Sequence, residues 1–200
     1  KEKIESELRI AREIQMGMIP KTFPPFPTRK ELDQYATLIP AKEVGGDLYD
    51  YFIDDDKLYF IIGDVSGKGI PASLLMAVTR SLFRSVTLHF DSPAEILTNL
   101  NNSLAENNDS NMFVTLFLGI LDLNSGKLQF CNAGHNPPIL IRDDASFMEL
   151  IPNLPLGLID GFQYQQQEKK IYHGTTLILY TDGLTEAENE TQMLYGEERL

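Results

Sequence analysis

Cysteine occurs once among the 200 residues and histidine three times. That is too few for a disulfide framework, and the histidines are in no zinc-ligand spacing. Basic side chains are also scarce: 17 Lys and Arg against 29 Asp and Glu leave a formal charge of −12. Such a chain lacks the clustered cations that a nucleic-acid backbone demands, so no nucleic-acid partner is expected. Apolar runs stop far short of the ~18 residues that a membrane helix needs. No stretch has the pattern of a signal peptide. No membrane insertion of this segment and a cytoplasmic setting are therefore expected, although a membrane-bound sensor could lie upstream. What remains is ordinary for a globular domain, with 42% hydrophobic and 10% aromatic residues. The length suffices to bury a core without staples. The single Cys131, in Leu128-Gln129-Phe130-Cys131, reads as a half-buried strand residue with a structural role.

The chain opens with a helical stripe, Ile4, Leu8, Ala11, Gln15 and Met18, ended by Pro20. Two readings stay open: a helix packed on its own domain, or the end of a coiled-coil linker that supports dimerisation. Thr22-Phe23-Pro24-Pro25-Phe26-Pro27 can be neither helix nor central strand and reads as a connector. Strands are expected over 35–40, 47–53 and 58–64, the last two joined by the turn Asp54-Asp55-Asp56-Lys57. Leu58-Tyr59-Phe60-Ile61-Ile62 is apolar at every position, so both faces of that strand should be covered. Helices are expected over 70–89 and 93–106, the second opening on a capping-box pattern, Ser92-Pro93-Ala94-Glu95. Further strands follow near 113–122, 127–133, 138–142 and 175–181. Hairpins flanking a pair of helices make this an α+β protein.

Three acids stand out. With the hairpin turn centred between Asp55 and Asp56, Asp47 falls opposite Asp64. Carboxylates facing each other across a ladder lie ~5 Å apart and repel. A buried setting tolerates them if one is protonated or a cation lies between them, and the cation is the more economical explanation. Gly45-Gly46 precede Asp47, and Gly63, Gly67 and Gly69 surround Asp64, as close approach of backbone to a ligand requires. Asp182 follows the apolar strand Leu177-Ile178-Leu179-Tyr180 and precedes Gly183. Oxygen ligands from short carboxylates suit Mg²⁺ or Mn²⁺.

Four segments appear in order: Val44-Gly45-Gly46-Asp47-Leu48-Tyr49-Asp50, Gly63-Asp64-Val65-Ser66-Gly67-Lys68-Gly69, Asn132-Ala133-Gly134-His135-Asn136-Pro137-Pro138 and Tyr180-Thr181-Asp182-Gly183-Leu184-Thr185-Glu186. Together with Ala11-Arg12-Glu13-Ile14-Gln15 in the opening helix, this set closely resembles the bacterial SpoIIE/RsbU branch of the PPM-type (type 2C) serine/threonine protein phosphatases. The resemblance implies a four-layer α/β/β/α sandwich of two antiparallel sheets flanked by helices. It also implies that the C-terminal part of the domain, with a further metal-binding acid, is missing from this chain. Residues 1–20 would form a linker or regulatory helix and 21–200 the phosphatase domain.

The activity implied is metal-dependent hydrolysis of phosphoserine or phosphothreonine. The expected substrate is a phosphorylated STAS-domain anti-sigma-factor antagonist, under an upstream sensor or receiver domain and with a possible homodimer through the N-terminal helix. Two Mn²⁺ or Mg²⁺ ions would be held by Asp47, Asp64 and Asp182, by Val65 through its carbonyl, and more weakly by Glu186. Such a pair activates a water and neutralises phosphoryl oxygens, so no protein nucleophile is needed. Lys42, five residues before Asp47, is a candidate phosphate contact, against the plainer reading of a solvated lysine. Lys68 stands where this branch often has His, which weakens a general-acid role there, and His135 is expected to stabilise a turn. The alternative is an inactive pseudophosphatase that binds a partner. A nucleotide cyclase is excluded because Leu48-Tyr49 follow the Gly-Gly-Asp, and a P-loop because the Gly-Lys lacks its Ser or Thr.

Overall fold

The computed structural model describes residues 2–106 and 108–200. A helix α1 (Glu2–Met18) leads through the proline-rich connector to the hairpin β1 (Leu48–Asp54) and β2 (Lys57–Val65). Two helices follow, α2 (Ile70–Val86) and α3 (Pro93–Ala105), then β3 (Val114–Asp122), β4 (Lys127–Ala133), β5 (Ile139–Ile141), β6 (Ala145–Phe147), β7 (Gln167–Lys170), β8 (Thr176–Ile178) and a one-turn α4 (Asp182–Thr185). The strands form two antiparallel sheets, ordered β1-β2-β3-β4-β7 and β6-β5-β8. The class is therefore the expected mixture of two antiparallel sheets with helices. The long helices α2 and α3 pack on the five-stranded sheet; beyond Ala105 the helical turns are four residues or fewer.

Pairing sorts the side chains. Leu48, Asp50 and Phe52 share a face with Tyr59, Ile61, Leu116, Leu118 and Ile120. That face meets α2, where Phe83 lies 5.7 Å from the Phe52 ring. On the opposite face the rings of Phe60, Phe117 and Phe130 stack in a row at 6.3 and 5.6 Å. Gly119, opposite Phe60, is glycine by necessity, since a β-carbon there would sit 2.3 Å from the Phe60 ring. Leu140 of the second sheet joins the same buried cluster. Both faces of β2 are thus covered, as its continuous apolar run predicts.

Three expectations need correction. Residues 35–40 form no ladder; Ala36 and Leu38 pack against the core while Tyr35 and Ile39 are exposed, so the segment is an extended connector without a strand partner. The capping box at α3 is not formed. Gln166 takes that role: its Oε1 accepts from the Ser92 hydroxyl at 2.8 Å and from the Ala94 N–H at 3.2 Å. Strands β6 and β7 were not anticipated, because both are short and largely exposed and carry little apolar signal.

α1 packs on its own domain through Gln15, which is buried, and through half-buried Leu8, Ala11 and Met18, while Ile4 is exposed. Cys131 is buried and its thiol pKa is pushed up to about 12 by that burial, consistent with an inert packing residue. Among the described residues no helix is long and apolar enough to cross a membrane.

Candidate metal centre

The β1–β2 ladder runs from Asp54↔Lys57 to Leu48↔Gly63. One step further along the same register sets Asp47 opposite Asp64, as the hairpin arithmetic predicts. Asp182 arrives from the other sheet, at the first position of α4, just beyond β8. One carboxylate oxygen from each of Asp47, Asp64 and Asp182 lies within 4.8 Å of the other two. Three segments distant in sequence therefore meet at one end of the molecule.

The backbone approach is as tight as the glycines suggest. A β-carbon on Gly46 would lie 2.7 Å from the Val65 carbonyl oxygen and 3.0 Å from Asp64 Oδ1. Val65 O and Asp64 Oδ1 thus both face the turn that carries Asp47. Gly63 is similarly hemmed in by the Thr115 carbonyl at 2.6 Å. Any side chain at Gly46 would push the two acid-bearing segments apart.

The electrostatics are unbalanced. Burial raises the pKa of Asp47, the Thr181 hydroxyl opposes this by donating a hydrogen bond, and the Asp182 charge raises it further. Asp64 is pushed up to about 7, first by burial, then by Asp47 and Asp182; the Val65 N–H lowers it and Glu186 raises it slightly. Asp47 Oδ1 is buried with no hydrogen-bond partner. An orphaned, buried carboxylate oxygen facing two other acids costs free energy unless a cation completes it. Oxygen donors alone, from carboxylates and a carbonyl, fit Mg²⁺ or Mn²⁺.

Other candidates sit at the margin. Glu186 is exposed, lies outside the cluster of three, and reaches it through its charge on Asp64. Lys42 is exposed on the segment before Asp47, and Lys68 is exposed on the loop after Asp64. His135 is buried, with the Asp182 charge near enough to act on its ring. Its Nε2–H donates to the Tyr180 carbonyl at 3.1 Å, which leaves Nδ1 to accept from the Thr115 hydroxyl at 3.0 Å. Burial lowers its pKa to about 4. Asn132 Nδ2 donates to the His135 carbonyl at 3.0 Å. The ring therefore ties β3 and the turn after β4 to the segment that carries Asp182, a holding role as expected.

Two residues went without a role in the sequence reading. Asp50 is fully buried, held by Arg84 through Nε at 2.6 Å and Nη2 at 2.6 Å, with Arg80 Nε at 3.2 Å. The available signal was a pair of arginines at i and i+4 on an otherwise uncharged helix. Gln15 grips the Gly45 backbone from both sides, donating to its carbonyl at 2.6 Å and accepting from its N–H at 3.2 Å. An amide at a core-facing position of α1 was the clue. It fixes the turn two residues before Asp47.

Phosphoserine phosphatase RsbU of Bacillus subtilis is 31% identical over 195 residues, covering 96% of this chain and 57% of that protein. The chain thus spans little more than half of that relative. Among solved structures, the RsbU and RsbW domains of a Mycobacterium tuberculosis protein align with a TM-score of 0.68 at 29% identity, over 80% of this chain and 44% of that one. The SiaA-PP2C domain of Pseudomonas aeruginosa aligns with a TM-score of 0.80 at 23% identity, over 99% of this chain and 80% of that one; this likeness speaks for the fold. The family model of Stage II sporulation protein E (SpoIIE) matches residues 54–200, so the chain belongs to the SpoIIE family.

Proposed function

We propose that this domain is a metal-dependent protein serine/threonine phosphatase. The observation that carries the reading is the meeting of Asp47, Asp64 and Asp182 within 4.8 Å with one buried oxygen left unpaired. The three carboxylates and the Val65 carbonyl would hold two Mn²⁺ or Mg²⁺ ions, with Glu186 a weaker additional ligand. Bound there, such ions supply positive charge to phosphoryl oxygens and an acidified water. The chain's own part is positioning. Thr181 orients Asp47, His135 fixes the Asp182 segment, and Gln15 holds the turn at Gly45. Lys42 is proposed as a contact to the substrate phosphate.

A phosphorylated STAS-domain protein is the proposed substrate, in a cytoplasmic signalling setting under an upstream sensor or receiver domain. The likeness to a phosphoserine phosphatase and to RsbU and RsbW domains supports this. The exposed Ile10 and Ile14 on α1 support a homodimer contact there.

The test is hydrolysis of p-nitrophenyl phosphate with added Mn²⁺, comparing wild type with Asp64→Asn. Turnover is expected to fall on the order of 10²–10³-fold in the variant with the circular dichroism spectrum unchanged. Equal rates, or activity that survives a chelator, would sink the metal-dependent reading built on Asp64. Mn²⁺ binding without any hydrolysis would favour the partner-binding pseudophosphatase instead.

A further inference from the structure

The loop after Leu156 stands at the same end of the five-stranded sheet as the acids. Val65 pairs with Val114, and Val114 exchanges backbone hydrogen bonds with Leu156 at 2.8 and 3.0 Å. Because that bridge is antiparallel, residues after Leu156 run off the end where β3 begins. Met112 closes the gap. Its methyl lies 3.9 Å from the β-carbon position of Gly67, and its carbonyl 3.3 Å from that of Gly157. Gly67 is three residues past Asp64, so Gly157-Leu158-Ile159 lies along the rim of the centre.

This loop is braced, yet its side chains face solvent. Asn101, fully buried, accepts from the Gly157 N–H at 2.9 Å and donates to the Ile159 carbonyl at 2.8 Å. Asn108 donates to the Gly157 carbonyl at 3.0 Å, and Asn102 accepts from the Gly161 N–H at 3.0 Å. Leu158 is nevertheless 46% exposed and Ile159 54%. Ile70, the first residue of α2 and three residues past Gly67, is 52% exposed. Adjacent exposed apolar residues on a loop held rigid by a buried amide mark a contact surface. Their placement makes the occupant the molecule that delivers phosphate to the acids. With a formal charge of −12, the domain's field does not draw in an anionic phosphoprotein. Apolar contact at this loop adds affinity beyond the phosphate contacts proposed above.

We infer that Leu158, Ile159 and Ile70 form the docking rim for a folded phosphoserine protein, engaging an apolar surface next to its phosphorylated residue. The inference rests on the phosphatase reading above. It is tested with the double variant Leu158→Asp/Ile159→Asp, and its control Leu158→Val/Ile159→Val, on two substrates. One is a serine-phosphorylated STAS-domain protein and the other p-nitrophenyl phosphate, which is too small to reach the loop. In the Asp variant kcat/KM for the phosphoprotein is expected to fall at least about tenfold, through KM. Turnover of the small ester should stay within about twofold, and the Val variant should recover most of the loss. An unchanged KM for the phosphoprotein, or a parallel fall on both substrates, would overturn the rim. Wild type that cleaves the ester but not the phosphoprotein would overturn this occupant, whereas wild type that cleaves neither removes the phosphatase reading itself.

Discussion

Asp47, just before β1, and Asp50, within it, lie three residues apart, and the protein treats their charges in opposite ways. Asp50 faces α2 and is enclosed by Arg84 and Arg80, with Tyr51 N–H donating to it at 2.9 Å. Asp47 faces the other side, toward Asp64 and Asp182, with one oxygen bare. A carboxylate paired for life with guanidinium joins a helix to a sheet. A carboxylate left among other carboxylates is, on the function proposed above, the place for an ion from outside. Residue type does not separate the two; the partners do.

The contrast can be broken most severely at Asp50. Asp50→Ala strands two arginines beneath α2 and should cost about 3 kcal/mol, read by urea denaturation; a loss under about 1 kcal/mol would mean that the pairing is dispensable. His135 offers a third solution, burial as a neutral ring. Its pKa of about 4 lies below the ordinary 6.5, so the unfolded chain takes up the proton first and stability falls as pH drops from about 6.5 toward 4. Between pH 7 and 5 this loss should be about 1–2 kcal/mol smaller in His135→Gln than in wild type. Gln15→Ala should loosen the Asp47 turn and weaken Mn²⁺ affinity about tenfold by titration calorimetry, with α1 still helical. Asp64 gives the subtlest measurement. Its pKa of about 7 lies above the ordinary 3.8, so in metal-free protein the unfolded state ionises first and stability falls as pH rises from about 4 to 7. At pH 8 metal-free Asp64→Asn should therefore melt a few degrees above metal-free wild type, roughly 2–4 °C. Mn²⁺ should raise the midpoint of wild type alone. A variant that melts lower would mean that the acids do not repel.

Much of this was legible in the chain because it is local. The Asp47–Asp64 register follows from counting out from one turn, and the helices from their apolar spacing. Asp182 was recognised by its place after an apolar strand. What escaped depends on distance or on small signals. Asp50 meets arginines thirty or more residues away. Gln166 caps a helix that begins 73 residues before it, displacing the local Glu95 pattern that suggested a box. Tyr35 to Pro40 looked like a strand because extended segments with spaced apolar residues also serve as connectors, and only a ladder partner distinguishes them.

The hairpin also acts as a ruler. Both acids are measured off from the same turn, in which Asp55 takes a left-handed φ of 51°. A single residue added to or lost from either arm would send one carboxylate to the helix side while the other stayed put. Changes in hairpin length are therefore tolerable when both arms change together, by an even count each, and this segment should resist insertion far more than the exposed loops elsewhere in the molecule.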